Sequence, residues 1–450
     1  MLKSDAFFKD PDILKAQELI QAALHRHQKA FKGPKPADEA LKVPYEKLLD
    51  EFKSLRGGAL WYPYLGSGFG KGALVELLDG SVKYDFIGGI GVHYFGHSNP
   101  HVIDHTVLGA LSDTVMEGHL QQNKDAFELS KLLTTVSGFD HSFLSSSGAM
   151  ANENALKIAF QSRAPKKRVF AFEKAFSGRT LALAQITDKP AYRVGLPETL
   201  LVDHLPFFDP SDPDGSTQKT LNRIEALLKR HPNDYAVAMI ELIQGEGGFR
   251  VAEKAFWHRV IDLMRAHDIA IFIDEVQSFG RTPKLFAFQH FGLEGKVDIV
   301  SIGKLTQICA TLFTKEIAPK PGLLSQTFTA SVTAIRAATW VIKELTEKGF
   351  YGDTGRIQAI HNRFKSHFER LQKNHPDKIS GPWGIGVMVA FTYKSGDAAE
   401  TTAFARKLFD HGLITFINGS DPTRIRMLPP ALVVSDQDID HAMEIIATCM

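Results

Sequence analysis

Between about Pro100 and Pro321, stretches with helical spacing of apolar positions alternate with short continuous apolar runs. The runs are HSFLSS (141–146), RVFAFE (168–173), TLLVDHL (199–205), VAMIELI (237–243), IAIFIDE (269–275) and DIVSIG (298–303). Strands buried on both faces read as unbroken apolar runs, and strands interleaved with helices predict an α/β sheet whose strands are mostly parallel. Past Ser331 the pattern changes to a long helix, VTAIRAATWVIKELTEKG, and then to strands GVMVAFTY (386–393), LITFIN (413–418) and RIRMLP (424–429). A helix from Asp436 closes the chain, and this mixture predicts a smaller α+β domain.

Ahead of the alternating region, residues 1 to about 56 read as helices. Asp10-Pro11-Asp12 marks a helix start, and Gly33-Pro34-Lys35-Pro36 marks the stop. Gly66-Ser67-Gly68-Phe69-Gly70-Lys71-Gly72 reads as a flexible loop leading into a hairpin that turns at Asp79-Gly80. A Walker phosphate loop is excluded there, because Leu65 and Gly72 occupy the positions that need glycine and a hydroxyl residue. The expected division is a helical segment and hairpin over 1–95, counted with the small domain. A large domain follows over 96–330, and the small α+β domain is completed over 331–450.

Composition narrows the class. In 450 residues, Lys plus Arg number 52 against 51 Asp plus Glu, so no net field points to a nucleic-acid or membrane partner. The run His25-Arg26-His27-Gln28-Lys29 reads as a solvated helix face rather than an anion patch. The two cysteines, Cys309 and Cys449, form neither a disulfide framework nor a zinc site, and no metal is expected. Charges interrupt the N-terminal apolar residues too often for a secretory leader, and no run approaches a membrane span, so the cytoplasm is the expected location.

The chemistry concentrates between Ile271 and Thr311. Asp274 closes one apolar run and Lys304 follows the next, and ligands of open α/β sheets gather at the carboxyl ends of strands. Such a carboxylate and amine would suit pyridoxal phosphate, with the lysine holding the aldehyde as a Schiff base and the aspartate keeping the ring nitrogen protonated. Spacing alone leaves open the alternative of a loop-capping aspartate and a solvated lysine.

Asp274-Glu275-Val276-Gln277 with Gly280-Arg281-Thr282, followed by Asp298-Ile299-Val300 with Gly303-Lys304, resembles the signature of class III pyridoxal-phosphate aminotransferases. The phrase Gly303-Lys304-Leu305-Thr306-Gln307-Ile308-Cys309 is most similar to the lysine 6-aminotransferase branch, as is the segment Thr187-Asp188-Lys189-Pro190. Further family motifs occur in order. FIGGIGVHYFGHSNPHVIDH, from Phe86 to His105, resembles the segments "D-G-x-x-Y-x-D-F-x-x-G-I" and "G-H-x-x-P". Ser147 to Lys157 is similar to "S-G-A-x-A-N-E-x-A-L-K", with Met150 in place of the common glutamate. Phe176-Ser177-Gly178-Arg179-Thr180 resembles "aromatic-H-G-R-T", with Ser177 where histidine is usual. Glu241 to Gly248 resembles "E-P-x-Q-G-E-G-G", with Leu242 for proline. Arg426 to Pro430 resembles "R-x-x-P-P". Gln326-Thr327-Phe328 resembles "S-T-F", although Thr329-Ala330-Ser331 replaces the usual Gly-Gly-Asn.

The resemblance implies a fold-type I, pyridoxal-phosphate-dependent transaminase, a homodimer with shared active sites. By the same resemblance Lys304 and Asp274 are catalytic, and Gly148 and Ala149 seat the cofactor phosphate at a helix start. Phe176 and Val276 pack on the ring, Gln277 bonds the ring oxygen, and Thr327 reaches the phosphate of the neighbouring subunit. Arg179 and Arg426 hold substrate carboxylates, and Glu246 pairs with Arg426 when that arginine is not in use. The expected reaction moves an amino group from an ω-amino donor of the lysine, ornithine or 4-aminobutyrate type, lysine first, to 2-oxoglutarate. The alternatives are an aminomutase or racemase on the same scaffold, and a cofactor-free binding protein descended from such an enzyme.

Overall fold

The computed structural model describes residues 2–113, 116–118 and 120–450. Its centre is a seven-stranded sheet built from β1 (His141–Ser145), β2 (Arg168–Phe172), β3 (Leu201–Leu205), β4 (Tyr235–Ile240), β5 (Ala270–Glu275), β6 (Ile299–Ile302) and β7 (Cys309–Phe313), in the spatial order β1-β7-β6-β5-β4-β2-β3. The six apolar runs are all strands, and those joined directly are parallel. β7 was not expected. It runs antiparallel between β6 and β1, and its five residues, CATLF, follow the Lys304 turn too closely to stand out as a separate run.

The register matters for the site. Asp274 lies beside Ser301 and Glu275 beside Ile302, so the ends of β5 and β6 coincide and their following loops leave the sheet side by side. Helix Gly148–Ser162 packs across β6 and β7, and Thr311 Oγ1 donates to the Ala151 carbonyl at 2.8 Å. Burying these strand faces contributes about 25 cal/mol for each Å² of apolar surface removed from water.

Three further readings are corrected. VAMIELI is not one strand: β4 ends at Ile240, and Ile243–Gln244 pairs instead with Arg250–Val251. The break comes where the Glu241 carboxylate accepts the Gly245 N–H at 3.0 Å and turns the chain away from the sheet. Gly66–Lys71 is a strand rather than a loop, antiparallel to Leu74–Leu77. Its glycines hide the period-two pattern, but its backbone still pairs. The helix begun at Asp10 stops at Gln28, before Gly33, where the Gln28 amide donates to the carbonyls of Gly70 and Ser98, both at 2.9 Å.

Strand pairing brings the two ends of the chain together. Val82–Asp85, across the Asp79-Gly80 hairpin from Leu74–Leu77, is parallel to Leu413–Ile414. Ile379–Ile385, Met388–Tyr393, Arg424–Met427 and Phe416–Asn418 form a separate antiparallel sheet. Helix Val332–Glu347 is capped by Ser331, which accepts the Ala334 N–H at 3.2 Å, and packs on helices Pro100–Ala110 and Lys124–Ser137. Among the described residues, no helix is long and apolar enough to cross a membrane.

Candidate active site

Asp274 is the penultimate residue of β5, and both its carboxylate oxygens are held. Oδ1 accepts the Val276 N–H at 2.9 Å and the Ser301 hydroxyl at 3.4 Å, and Oδ2 accepts Asn152 Nδ2 at 2.8 Å. Burial nevertheless raises its pKa, opposed by these donors and by the charge of Lys304. A protonated ring nitrogen facing this carboxylate would supply the missing counter-charge, so the aspartate suits a pyridinium partner.

Lys304 opens a short 3₁₀ turn just past β6, and its backbone is left-handed at φ 57°. That conformation is unfavourable for a residue with a Cβ, and such strain persists where the surroundings impose it. Burial brings the ammonium down to about 8. Asp274 and Glu246 pull it upward, while Arg281 and Arg426 push it further down. An amine lowered to that range is a nucleophile near neutral pH, as capture of an aldehyde requires.

Ser147 caps helix Gly148–Ser162, its hydroxyl taking the Met150 N–H at 3.2 Å and its carbonyl the Ala151 N–H at 3.0 Å. The N–H groups of Gly148 and Ala149 therefore face out of the helix start, the arrangement that receives a phosphate. A Cβ on Gly148 would sit 2.8 Å from Val276 Cγ1, and one on Gly303 would sit 3.2 Å from the same methyl. Val276 thus lies between the helix start and the Lys304 turn, where a flat ring could rest on it. The residues present fit the cofactor that the sequence implies.

The turn after β2 approaches from the other side. Phe176 is half-buried, with its N–H donated to Glu241 Oε2 at 2.8 Å. Ser177 is buried, its N–H bonded to Thr187 Oγ1 at 3.0 Å and its carbonyl to Asn152 Nδ2 at 2.8 Å. Gly178 lies against Ala149. Arg179 is exposed, its guanidinium 4.0 Å from the centroid of the Tyr192 ring.

Gln277 follows Val276, with its side-chain amide packed against Gly245 and its Oε1 accepting Arg426 Nη1 at 3.3 Å. Arg426 is wholly buried, and its Nη2 lies 2.6 Å from Glu246 Oε1, an ion pair rather than an aligned hydrogen bond. The expected pair of Glu246 and Arg426 is therefore formed. Thr327 lies apart from this cluster, exposed, with its carbonyl against Gly118.

Sequence reasoning missed three residues. Asn152 bonds both Asp274 and the Ser177 carbonyl, and so joins the aspartate to the Phe176 turn. Glu241 joins Phe176 to Gly245, and burial followed by the charge of Asp274 pushes its carboxyl up to about 8. Arg281 is fully buried and, among the described residues, donates only to backbone carbonyls. All three stand inside quoted motifs, and that was the signal available.

The Aminotransferase class-III family model matches residues 68–450. The chain belongs to the class III aminotransferases, and its cofactor is pyridoxal 5'-phosphate. It is 32% identical over 389 residues to acetylornithine aminotransferase from Methanocaldococcus jannaschii, covering 82% of this chain and 89% of the relative. It is 30% identical over 385 residues to the enzyme of that name from Archaeoglobus fulgidus, covering 84% and 93%. In fold it is similar to lysine aminotransferase from M. tuberculosis, with a TM-score of 0.80 over 89% of this chain and 99% of that one, at 22% identity. The fold is accordingly fold-type I, and the reading of a cofactor-free binding protein falls away.

Proposed function

We propose that this aminotransferase moves the amino group of an ω-amino donor of the lysine, ornithine or 4-aminobutyrate type to 2-oxoglutarate, giving glutamate. The observation that carries the reading is the buried Arg426 with Glu246 at 2.6 Å. A donor with a distal amine and one distant carboxylate would use Arg179, leaving Arg426 neutralised by Glu246. Glutamate and 2-oxoglutarate carry two carboxylates and would take both arginines, with Glu246 displaced. The acetylornithine aminotransferases among the relatives support a second reading, N-acetylornithine as donor, whose free amine is also distal.

Pyridoxal phosphate, when bound, supplies the aldehyde that takes the amino group and the ring that accepts electron density from the carbon losing its proton. Lys304 would hold that aldehyde between turnovers and, once released, carry the proton from the donor carbon as general base. Asp274 would keep the proton on the ring nitrogen, with Asn152 and the Val276 N–H fixing its two oxygens. Gly148 and Ala149 would seat the phosphate, and Phe176 and Val276 would confine the ring. Gln277 would donate to the ring oxygen through Nε2 while Oε1 stays on Arg426. The exposed Thr327 suits a contact across a homodimer interface, and the cytoplasm is the compartment we assign.

The deciding experiment is a panel of lysine, ornithine, 4-aminobutyrate, N-acetylornithine and alanine, read by glutamate formed from 2-oxoglutarate. Glutamate from the distal-amine donors is expected. Activity with alanine alone would overturn the reading, and donor conversion without glutamate would point to the aminomutase or racemase.

A further inference from the structure

Arg281 is a buried charge that the proposed chemistry leaves unused. None of its surface is exposed, and a guanidinium so placed is normally paired with a carboxylate. Among the described residues none pairs with it. Nη1 donates to the carbonyls of Gln277 at 2.9 Å and Phe279 at 3.4 Å, Nη2 donates to the carbonyl of Gly91, and Nε has no partner. The guanidinium lies 5.0 Å from the centroid of the Tyr94 ring, and the groups that face it electrostatically are the phenols of Tyr94 and Tyr351, kept neutral by burial, and the Lys304 amine. Burial brings its pKa down to about 10, which still leaves it charged at neutral pH.

What Arg281 grips is unusual. Gly88, Gly89, Ile90 and Gly91 have φ of 50°, 63°, 65° and 82°, one turn of left-handed helix closed by Gly91 N to Ile87 O at 2.6 Å and Val92 N to Gly88 O at 2.7 Å. A left-handed β-branched residue such as Ile90 is strained, so external contacts must hold the turn. Asp85 takes the N–H groups of Ile87 and Gly88 at 3.1 and 2.7 Å, with His97 on its other oxygen at 3.0 Å. Arg281 takes the carbonyl at the far end, where a Cβ on Gly91 would come within 2.7 Å of Nη2. The turn also reaches the Lys304 loop, since Gln307 Nε2 donates to the Val92 carbonyl at 3.0 Å and Gln307 N to the Lys304 carbonyl at 3.0 Å.

We propose that Arg281 is a positioning residue of the transamination: it fastens the left-handed turn Gly88–Gly91 to the loop carrying Gln277, and it sets a permanent positive charge on the Lys304 side of the site. Two arginines act on Lys304 through space, opposed by Asp274 and Glu246. Arg426 is neutralised by Glu246 and would be engaged by dicarboxylates, so its influence varies through the cycle. Among the described residues Arg281 has no acidic partner, and its influence is constant. That constancy favours the unprotonated amine whichever substrate is bound.

The inference rests on Lys304 being the lysine that holds the cofactor, and the test separates the two. The pH midpoint of the visible absorbance of the cofactor-loaded protein is measured for wild type, Arg281→Gln, Arg281→Lys and Lys304→Ala, with amide exchange of residues 88–92 followed in parallel. Loss of the cation is expected to raise the midpoint by about one pH unit in Arg281→Gln. Arg281→Lys keeps the charge but cannot reach all three carbonyls, so it should keep the wild-type midpoint while residues 88–92 exchange faster. A folded Arg281→Gln with the wild-type midpoint would overturn the proposal. Should that variant not fold, Arg281→Lys decides: a displaced midpoint or wild-type exchange refutes it, and the expected pair of results supports it. Cofactor that borohydride still fixes covalently to Lys304→Ala would instead refute the assignment of Lys304.

Discussion

Glu246→Ala isolates the ion pair on which dual-substrate use would depend. Arg426 is completely buried, while the Glu246 side chain keeps 23% of its exposure, so the pair is only partly desolvated. Without Glu246, the guanidinium retains Gln277 Oε1 at 3.3 Å and the face of Phe416 at 5.4 Å. Breaking a buried pair costs about 3–5 kcal/mol, and the partial exposure of Glu246 places this one near 3. A distal-amine donor leaves Arg426 as it is in the free enzyme, so its kcat/KM should barely change. Glutamate no longer has to displace Glu246, and about 3 kcal/mol corresponds to roughly a hundredfold gain in its kcat/KM. The assay is the cofactor absorbance change in single half-reactions, with glutamate and with each distal-amine donor. Urea unfolding of the same variant should show the lower stability of an unpaired buried cation. An unchanged ratio of glutamate to distal-amine kcat/KM would falsify the gate, whatever the stability did.

Other outcomes follow from the same geometry. Lys304→Ala should fold and bind cofactor without a covalent link, with turnover abolished; normal turnover in a steady-state assay would show that another residue serves. Asp274→Ala should keep the covalent link yet lose most of its rate, since an unprotonated ring is a poor electron sink; near-normal single-turnover rates would remove its role. Asn152→Ala strips partners from Asp274 Oδ2 and the Ser177 carbonyl, at about 1–3 kcal/mol for each unsatisfied group, and chemical denaturation should register the loss. Because the Lys304 ammonium titrates at about 8 and only the free amine attacks the aldehyde, cofactor capture by the cofactor-free protein should accelerate as pH rises through that value and level off above it. A capture rate flat from pH 7 to pH 9 (roughly a unit on each side of the midpoint) would contradict this, since the free-amine fraction rises about tenfold across that span.

The chain itself determined six strands of the central sheet, because apolar runs between charged helices have no other way to bury both faces. The candidates Asp274 and Lys304 were legible too, since Asp274 closes one such run, Lys304 follows the next, and the flanking residues match a family signature. Tertiary structure alone decided the contacts that make these groups usable. Asn152 meets Asp274 across 122 positions, Gln277 meets Arg426 across 149, and Gly91 meets Arg281 across 190. Local pattern carries no information about which side chains converge over such separations. The antiparallel β7 was hidden for a related reason: a five-residue run next to a turn becomes a strand only because β1 and β6 leave a slot for it. Likewise the lowered pKa of Lys304 and the isolated charge of Arg281 belong to no motif, because burial and the placement of neighbouring charges exist only once the chain has packed.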